Sequence, residues 1–150
     1  MMNPNPNDAV ELFFDHVGIA VADIEAGGAI LTGVLGPLSW TQRFDDARLG
    51  VAVRFARDRS GMVYELIAPL GDTSPIARTL KSRANLLNHM AYRTSSLDSA
   101  LKQARAMRAL PVGAAAPALA FGGATVQFLM LPLGFLIELI EADRIVHDFS

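Results

Sequence analysis

The chain has 150 residues, a formal net charge of -2, 51% hydrophobic residues and no cysteine. Its length and even composition suit a single domain over residues 1–150, and its scattered lysines and arginines argue against a nucleic-acid partner. The lack of cysteine excludes disulfides, thiolate metal sites and thiol nucleophiles, so that a bound metal would need imidazole and carboxylate ligands.

The opening segment, residues 1–11 (MMNPNPNDAVE), has neither the basic nor the apolar region of a signal peptide. We therefore expect a short N-terminal tail and a cytoplasmic protein. The most apolar stretch, residues 128–140, is too short to span a bilayer and contains Pro132 and Glu138, so we expect no membrane insertion. The high hydrophobic fraction leads us to expect that a second subunit covers part of the surface in a homodimer.

The first half of the chain predicts a βαβββ order of elements. Residues 13–21 (FFDHVGIAV) are rich in β-branched and aromatic residues, which favours a strand. Asp23 is a suitable N-cap for an apolar-periodic helix over residues 24–35. A weak segment follows, then strands at residues 51–55 and 62–68 with a glycine turn between them. These elements define a first module over residues 13–70.

A short linker helix is predicted within residues 71–85, because Ser74 suits the N-cap and Pro75 the first helical position. The second module, residues 86–141, repeats the order of the first. Its helix is expected to begin after Ser95, which forms a capping-box pattern with Asp98. Strands are predicted at residues 125–129 and 135–141. The polar C-terminal tail around His147 is expected to have no functional role.

The two halves align without a gap when the sequence is shifted against itself by 73 positions. His16 then coincides with His89, and Glu65 coincides with Glu138. The separation from histidine to glutamate is 49 residues in both halves. The repeated polar positions therefore belong to one duplicated arrangement.

All four of these residues lie in strand-like apolar runs. Taken singly, each has an ordinary interpretation: a hydrogen-bonded core histidine or a glutamate at a strand edge. Burying a carboxylate is costly, however, unless it is paired or binds a cation. The repeated set therefore favours one divalent metal ion, for which Zn, Ni, Co, Mn and Fe are equally suitable, and the predicted ligands are His16, Glu65, His89 and Glu138.

Segments around these residues (DHVGIAV, YELIAPLGDTSPIARTL, NHMAYR and LIELIEA) make the chain similar to the vicinal oxygen chelate superfamily, and most similar to its methylmalonyl-CoA epimerase-like members. The superfamily also includes glyoxalase I, extradiol dioxygenases and bleomycin-resistance proteins. The resemblance covers residues 13–141. It implies an α+β fold in which two tandem βαβββ modules form a curved, barrel-like mixed sheet with helices outside and the metal inside.

The resemblance further implies an isomerase or lyase in which the metal chelates neighbouring substrate oxygens and stabilises an enolate during proton transfer. Glu138 or Glu65 is the expected catalytic base, and the substrate is a small molecule such as an acyl-CoA or a 2-oxo aldehyde adduct. Arg93, four residues after His89, would bind a substrate anion or reach solvent. Arg48 occupies the position of a glutamate in the epimerase pattern, with Asp45 and Asp46 nearby either as substitutes or as ordinary solvated loop acids. That departure leaves a non-catalytic binding or resistance protein as the alternative.

Overall fold

A computed structural model describes residues 9–150 of the chain. Within that range, nine strands form one curved, open mixed sheet, accompanied by three α-helices. The predicted α+β fold class is confirmed. Most of the expected N-terminal tail, residues 1–8, lies outside the described residues.

The strands are β1 (Phe13–Ala20), β2 (Ser39–Trp40), β3 (Phe44–Asp46), β4 (Val51–Arg57), β5 (Val63–Pro69), β6 (Leu87–Thr94), β7 (Leu110–Pro117), β8 (Thr125–Met130) and β9 (Leu136–Glu141). The helices are α1 (Ile24–Leu35), α2 (Pro75–Ser82) and α3 (Leu97–Ala106). The strand order across the sheet is β2-β4-β5-β1-β6-β9-β8-β7, and β3 pairs with the first three residues of β4. The elements of each half therefore stay on their own side of the sheet.

The helices begin at side-chain caps. Asp23 accepts a hydrogen bond from the backbone N–H of Ala26 at 2.7 Å, and Ser74 caps α2 with Pro75 in its first turn, as predicted. The cap of α3 differs from the prediction by one residue. Ser96, rather than Ser95, accepts from the N–H of Ser99. Adjacent serines offer the same hydroxyl, so the sequence pattern does not separate them.

Two apolar clusters attach helices to the outer face of the sheet. Ile24 of α1 packs with Leu66 of β5, and Leu97 of α3 packs with Leu139 of β9. A third cluster, which includes Phe55 and Ile140, fills the inner face. Along a strand, successive side chains point to opposite faces of the sheet. The residues that precede and follow Leu66 and Leu139 in the sequence therefore point to this inner face. Helix α2 differs from the other two helices, because it adds Ile76 to the inner cluster.

The two halves join through antiparallel pairing of β1 with β6. Parallel partners flank this pair on each side, with β5 next to β1 and β9 next to β6. The four central strands are therefore the ones that carry the repeated histidines and glutamates. In the described range 9–150, every helix is too short or too polar to cross a bilayer.

Candidate metal centre

The four predicted ligands come together on the inner face of the central strands β5, β1, β6 and β9. Strand register explains the convergence. Gly18 is the cross-strand partner of both Glu65 and His89, while Ala91 is the partner of both Glu138 and His16. The four side chains are buried, with relative exposures between 0% and 5%, and are contributed by His16, Glu65, His89 and Glu138.

The donor atoms of the cluster face one another at nearly equal distances. The two imidazole Nε2 atoms are 3.3 Å apart. Oε1 of Glu65 lies 3.5 Å from Nε2 of His16 and 3.4 Å from Nε2 of His89. Oε1 of Glu138 lies 3.5 and 3.6 Å from the same two nitrogens. Donors that share a divalent ion at about 2.0 to 2.2 Å stand about 2.8 to 3.6 Å apart, so the distances between the two nitrogens and from each glutamate oxygen to them fit an ion. Among the four residues, the donor atoms of His16, Glu65 and His89 form the tightest group, with all of them within 4.8 Å of one another.

The hydrogen bonding of the cluster also fits a cation. Oε1 of Glu138 is buried and accepts no hydrogen bond from residues 9–150. A buried carboxylate oxygen without a donor is costly, and a cation removes that cost. Two imidazoles and two carboxylates are a donor set suited to the borderline first-row divalent ions.

Small residues make room for the imidazoles. A Cβ atom on Gly18 would lie 2.1 Å from Cε1 of His89, so the ring of His89 lies directly over the glycine backbone. The rings also have matching aromatic neighbours. Phe55 meets His16 edge-on at a centroid distance of 5.2 Å, and Phe128 meets His89 at 5.1 Å. Phe55 and Phe128 are related by the same 73-residue shift as the histidines.

Each histidine is oriented by the residue that precedes it. Nδ1 of His16 lies 2.6 Å from the Asp15 carboxylate, and Nδ1 of His89 lies 2.9 Å from the amide oxygen of Asn88. Both oxygens are acceptors, so each Nδ1 carries a proton, and each Nε2 would present its lone pair to a bound ion at the centre. This tautomer is the one that binds a metal through Nε2.

The charges of the cluster shift the pKa values of its members. Burial disfavours protonated His16, but attraction to Glu65 and the bond to Asp15 outweigh burial and raise the pKa of His16 to about 10. Burial opposes ionisation of Glu65, yet its attraction to His16 lowers the pKa of that carboxyl. A divalent ion at this site must therefore displace a firmly held proton.

Asp15 is a functional residue that the sequence reasoning missed. Its side chain is 1% exposed, and its carboxylate contacts His16 and His147 at 2.6 Å each and Nε of Arg93 at 3.1 Å. Burial opposes ionisation of Asp15, but the hydrogen bonds to His147 and His16 hold the pKa of the carboxyl well below its usual range. The only available signal was positional: Asp15 and Asn88 precede the repeated histidines at the same 73-residue shift.

The contacts of the Asp15 carboxylate bear on two expectations from the sequence. His147 was expected to have no role, yet its side chain is 1% exposed and bonded to Asp15. That expectation was wrong about its position, because the C-terminal segment folds back onto the inner face. Arg93 has an internal partner in Asp15 and a side chain only 11% exposed. Its role in substrate binding stays a prediction.

The loop that carries the departure from the epimerase pattern is used structurally. Arg48 is exposed. Asp45 is exposed and forms an ion pair with Arg43 at 2.8 Å. Asp46 accepts hydrogen bonds from the backbone N–H groups of Leu49 and Leu119, which ties this loop to the second half. These contacts account for both aspartates without a catalytic role.

A cavity of about 450 Å³ is lined by residues of both halves and of the C-terminal segment, and by none of the four predicted ligands. Its wall includes Thr41 and Phe44 from the first half, Leu119 from the second half, and His147 from the C-terminal segment. His147 therefore belongs both to the cavity wall and to the chain of hydrogen bonds that ends at His16.

Comparison with known proteins agrees with this architecture. Residues 15–128 match the model of the Glyoxalase/Bleomycin resistance protein/Dioxygenase superfamily. The chain is 32% identical over 132 residues to the ethylmalonyl-CoA/methylmalonyl-CoA epimerase of Cereibacter sphaeroides, covering 87% of this chain and 96% of that protein. The crystal structure of methylmalonyl-CoA epimerase from Mycobacterium tuberculosis is 27% identical with a TM-score of 0.75, over 96% of this chain and 94% of that one.

A further solved structure, a hypothetical protein from Bacillus halodurans, has a TM-score of 0.75 at 25% identity and covers 92% of this chain and 99% of its own. Fold and sequence together define a protein of the vicinal oxygen chelate class. The chain belongs to the Glyoxalase/Bleomycin resistance protein/Dioxygenase superfamily. Its similarity to the epimerase-like members, predicted from the sequence, is confirmed.

Proposed function

We propose that this protein is an isomerase that moves the proton on the carbon next to the thioester carbonyl of an acyl-CoA, with one divalent ion held by His16, Glu65, His89 and Glu138. The observation that carries the proposal is the buried cluster itself, in which the two imidazole Nε2 atoms lie 3.3 Å apart and each glutamate Oε1 lies 3.4 to 3.6 Å from both of them. The epimerase relatives support the reaction type and the acyl-CoA substrate class.

When bound, the ion would supply the positive charge that stabilises negative charge developing on substrate oxygens. The protein side of this chemistry is the low-dielectric wall around the cluster. Phe55 and Phe128 flank the two imidazoles and keep water from them. Exclusion of water strengthens every electrostatic interaction within the site.

We assign the proton transfer to the two glutamates, with Glu138 as the first candidate. Both Oε1 atoms lie 3.4 to 3.6 Å from the two imidazole Nε2 atoms, and Oε1 of Glu138 is buried with no hydrogen-bond donor among the described residues. A carboxylate that binds a cation is a weak base, but each glutamate has a second oxygen that can accept a proton. Glu65 would take this role if Glu138 stays bound through both oxygens.

Arg93 is proposed to assist binding of an anionic substrate group. Its Nε faces Asp15. A guanidinium has further N–H donors on its terminal nitrogens, and these can reach a carboxylate or phosphate. We also propose that the protein forms a homodimer, as expected from its high hydrophobic fraction.

Solvent exchange at the substrate carbon tests this function. Protein reloaded with Co²⁺ is incubated with methylmalonyl-CoA in D₂O, and incorporation of deuterium is followed by NMR. We expect exchange by the wild type, loss of exchange in Glu138→Gln, and unchanged exchange in Glu25→Gln, an exposed position on α1 that serves as the control. A protein that only binds its ligand would bind methylmalonyl-CoA and exchange no hydrogen, which would overturn the isomerase assignment.

A further inference from the structure

The C-terminal segment, residues 143–150, follows β9 and belongs to no helix or strand. Most of its side chains are exposed: Ile145 is 62% exposed and Val146 is 41% exposed. Two side chains attach the segment to the protein. The imidazole of His147 is buried on the inner face, and the ring of Phe149 packs against the inner cluster beneath the guanidinium of Arg57 at 4.6 Å.

His147 is held by both packing and hydrogen bonding. Its ring lies 4.1 Å from the ring centroid of Phe55 and 5.8 Å from that of Phe121. Its Nε2 lies 2.6 Å from Oδ2 of Asp15. A histidine beside a carboxylate donates its N–H, so Nε2 carries a proton and His147 is a donor to Asp15. This contact joins residues 132 positions apart in the sequence.

The same Asp15 oxygen accepts from Nδ1 of His16 at 2.6 Å. A continuous path of two short hydrogen bonds therefore links His147 to the imidazole that faces Glu65 and Glu138. Outer carboxylates of this kind fix the ring orientation and raise the basicity of a ligating histidine. The orientation of Asp15 in turn depends on its own donors, because a buried carboxylate adopts the position in which it is best hydrogen-bonded.

We propose that His147 is a positioning residue of the metal centre: by donating to Asp15, it fixes the carboxylate that orients His16. Docking of residues 143–150 and metal binding are then coupled. This inference rests on the metal site assigned in the proposed function. Because coupling is reciprocal, a bound ion stabilises the docked segment by the same factor by which docking raises metal affinity.

Metal affinity in matched variants tests the inference. Full-length wild type, His147→Ala, His147→Gln and Val146→Ala are stripped with chelator and titrated with Co²⁺, whose visible absorption reports both affinity and ligand geometry. We expect His147→Ala to weaken Co²⁺ binding by about 10- to 100-fold and to change the absorption spectrum. We expect His147→Gln to recover most of the affinity, because its amide N–H can donate to Asp15, and Val146→Ala to match the wild type.

The outcomes separate this inference from the proposed function. If the wild type binds one Co²⁺ per chain and His147→Ala binds it with the same affinity and spectrum, the positioning role is wrong and the metal site stands. If the wild type binds no ion, both are wrong. If His147→Ala does not fold, the comparison of His147→Gln with Asp15→Asn decides. Near-wild-type affinity in His147→Gln with loss of affinity in Asp15→Asn supports the path through Asp15, and wild-type affinity in Asp15→Asn overturns it.

A second measurement uses the reciprocal effect. Carboxypeptidase should trim the chain past the exposed Ser150 faster when the segment is detached, since the side chain of His147 is buried and Phe149 is half-buried when it is docked. We expect Co²⁺ to slow trimming of the wild type by the factor measured in the affinity comparison, about 10- to 100-fold. Equal trimming rates with and without Co²⁺ would contradict the coupling.

Discussion

The two halves of the molecule place the same donors at the same positions but support them differently. His16 and His89 each lie beside a phenylalanine from the next but one strand, and each faces the same pair of glutamates. Behind His16 stands the charged carboxylate of Asp15, whereas behind His89 stands the neutral amide of Asn88. The two halves therefore share the geometry of the inner cluster. They differ in the residue that contacts Nδ1 of the histidine, which is charged in the first half and neutral in the second.

More side chains contact Asp15 in the first half than contact Asn88 in the second. Arg93 from the second half and His147 from the C-terminal segment both contact Asp15, and the oxygen of Asn88 has one described side-chain partner, His89. A carboxylate behind a ligating imidazole makes that imidazole the stronger donor. We therefore expect the first half to contribute more to metal affinity and to stability than the second.

Removing either histidine should have the largest effect on the metal. We expect His16→Ala and His89→Ala each to weaken Co²⁺ or Zn²⁺ binding by more than about 100-fold, the upper range for loss of an outer partner. His16→Ala should also lower the free energy of unfolding more than His89→Ala, because it removes one of the two hydrogen bonds to the buried, charged Oδ2 of Asp15. Metal titration and urea denaturation measure both effects, and equal unfolding free energies would contradict the asymmetry.

Adding a methyl group beneath the ring of His89 should have the next largest effect on metal affinity. A methyl group on Gly18 would collide with the His89 ring, whereas one on Gly33 of α1 would meet nothing within 4 Å. We expect Gly18→Ala to displace His89 and weaken Co²⁺ binding by about 100-fold, as the loss of an orienting contact does. Gly33→Ala is the control: it should leave affinity unchanged and raise stability by about 0.5 to 1 kcal/mol. Wild-type affinity in Gly18→Ala would contradict the close approach.

Substitution of Asp15 or Asn88, the residues that contact Nδ1 of the two histidines, should have a smaller effect on metal affinity. We expect Asp15→Asn to weaken Co²⁺ binding by about 10- to 100-fold, because it removes the charge behind His16. We expect Asn88→Asp to strengthen binding by less than about 10-fold, because it gives His89 the charged partner that His16 already has. Isothermal titration measures both. Equal affinities of the two variants would show that the outer charge does not distinguish the halves.

The pH dependence of stability should show the smallest effect. The pKa of His16 is raised to about 10 in the folded protein, so its contribution is fully present below about pH 6.5 and is lost as the pH rises through 10. We expect the Tm of chelator-treated protein to fall by several degrees from about pH 7 to pH 10. Co²⁺ should raise Tm more at pH 8 than at pH 6, because the ion binds deprotonated imidazole. Scanning calorimetry that finds no fall would contradict the raised pKa.

The repeat in the sequence explains how much could be predicted. The order of elements along each half and the grouping of the four donors follow from the 73-residue shift and the apolar pattern, because both are local or repeated. In a regular strand, Asp15 would point away from His16. The register shift between Phe14 and His16 on β1 breaks that alternation. Nothing in the sequence pattern predicts such a shift, so the role of Asp15 was missed.

His147 could not be predicted for a different reason. It has no counterpart in the repeat, since a shift by 73 positions places it on Ser74. It lies in a polar segment without helical or strand periodicity, and its partner is far away in the sequence. Such a contact depends on the surface of the inner face, which forms only once the sheet has folded. Local sequence patterns do not describe that surface.

The most direct test of the central claim is the metal content of the protein. Full-length chain purified without chelator, or reloaded with Co²⁺, Ni²⁺, Zn²⁺ or Mn²⁺ and desalted, is analysed by native mass spectrometry together with His89→Ala. The arrangement of His16, Glu65, His89 and Glu138 predicts one divalent ion per chain in the wild type and none in the variant. A wild type that retains none of the four ions would contradict the assignment and make the cluster a buried network of hydrogen bonds and charges.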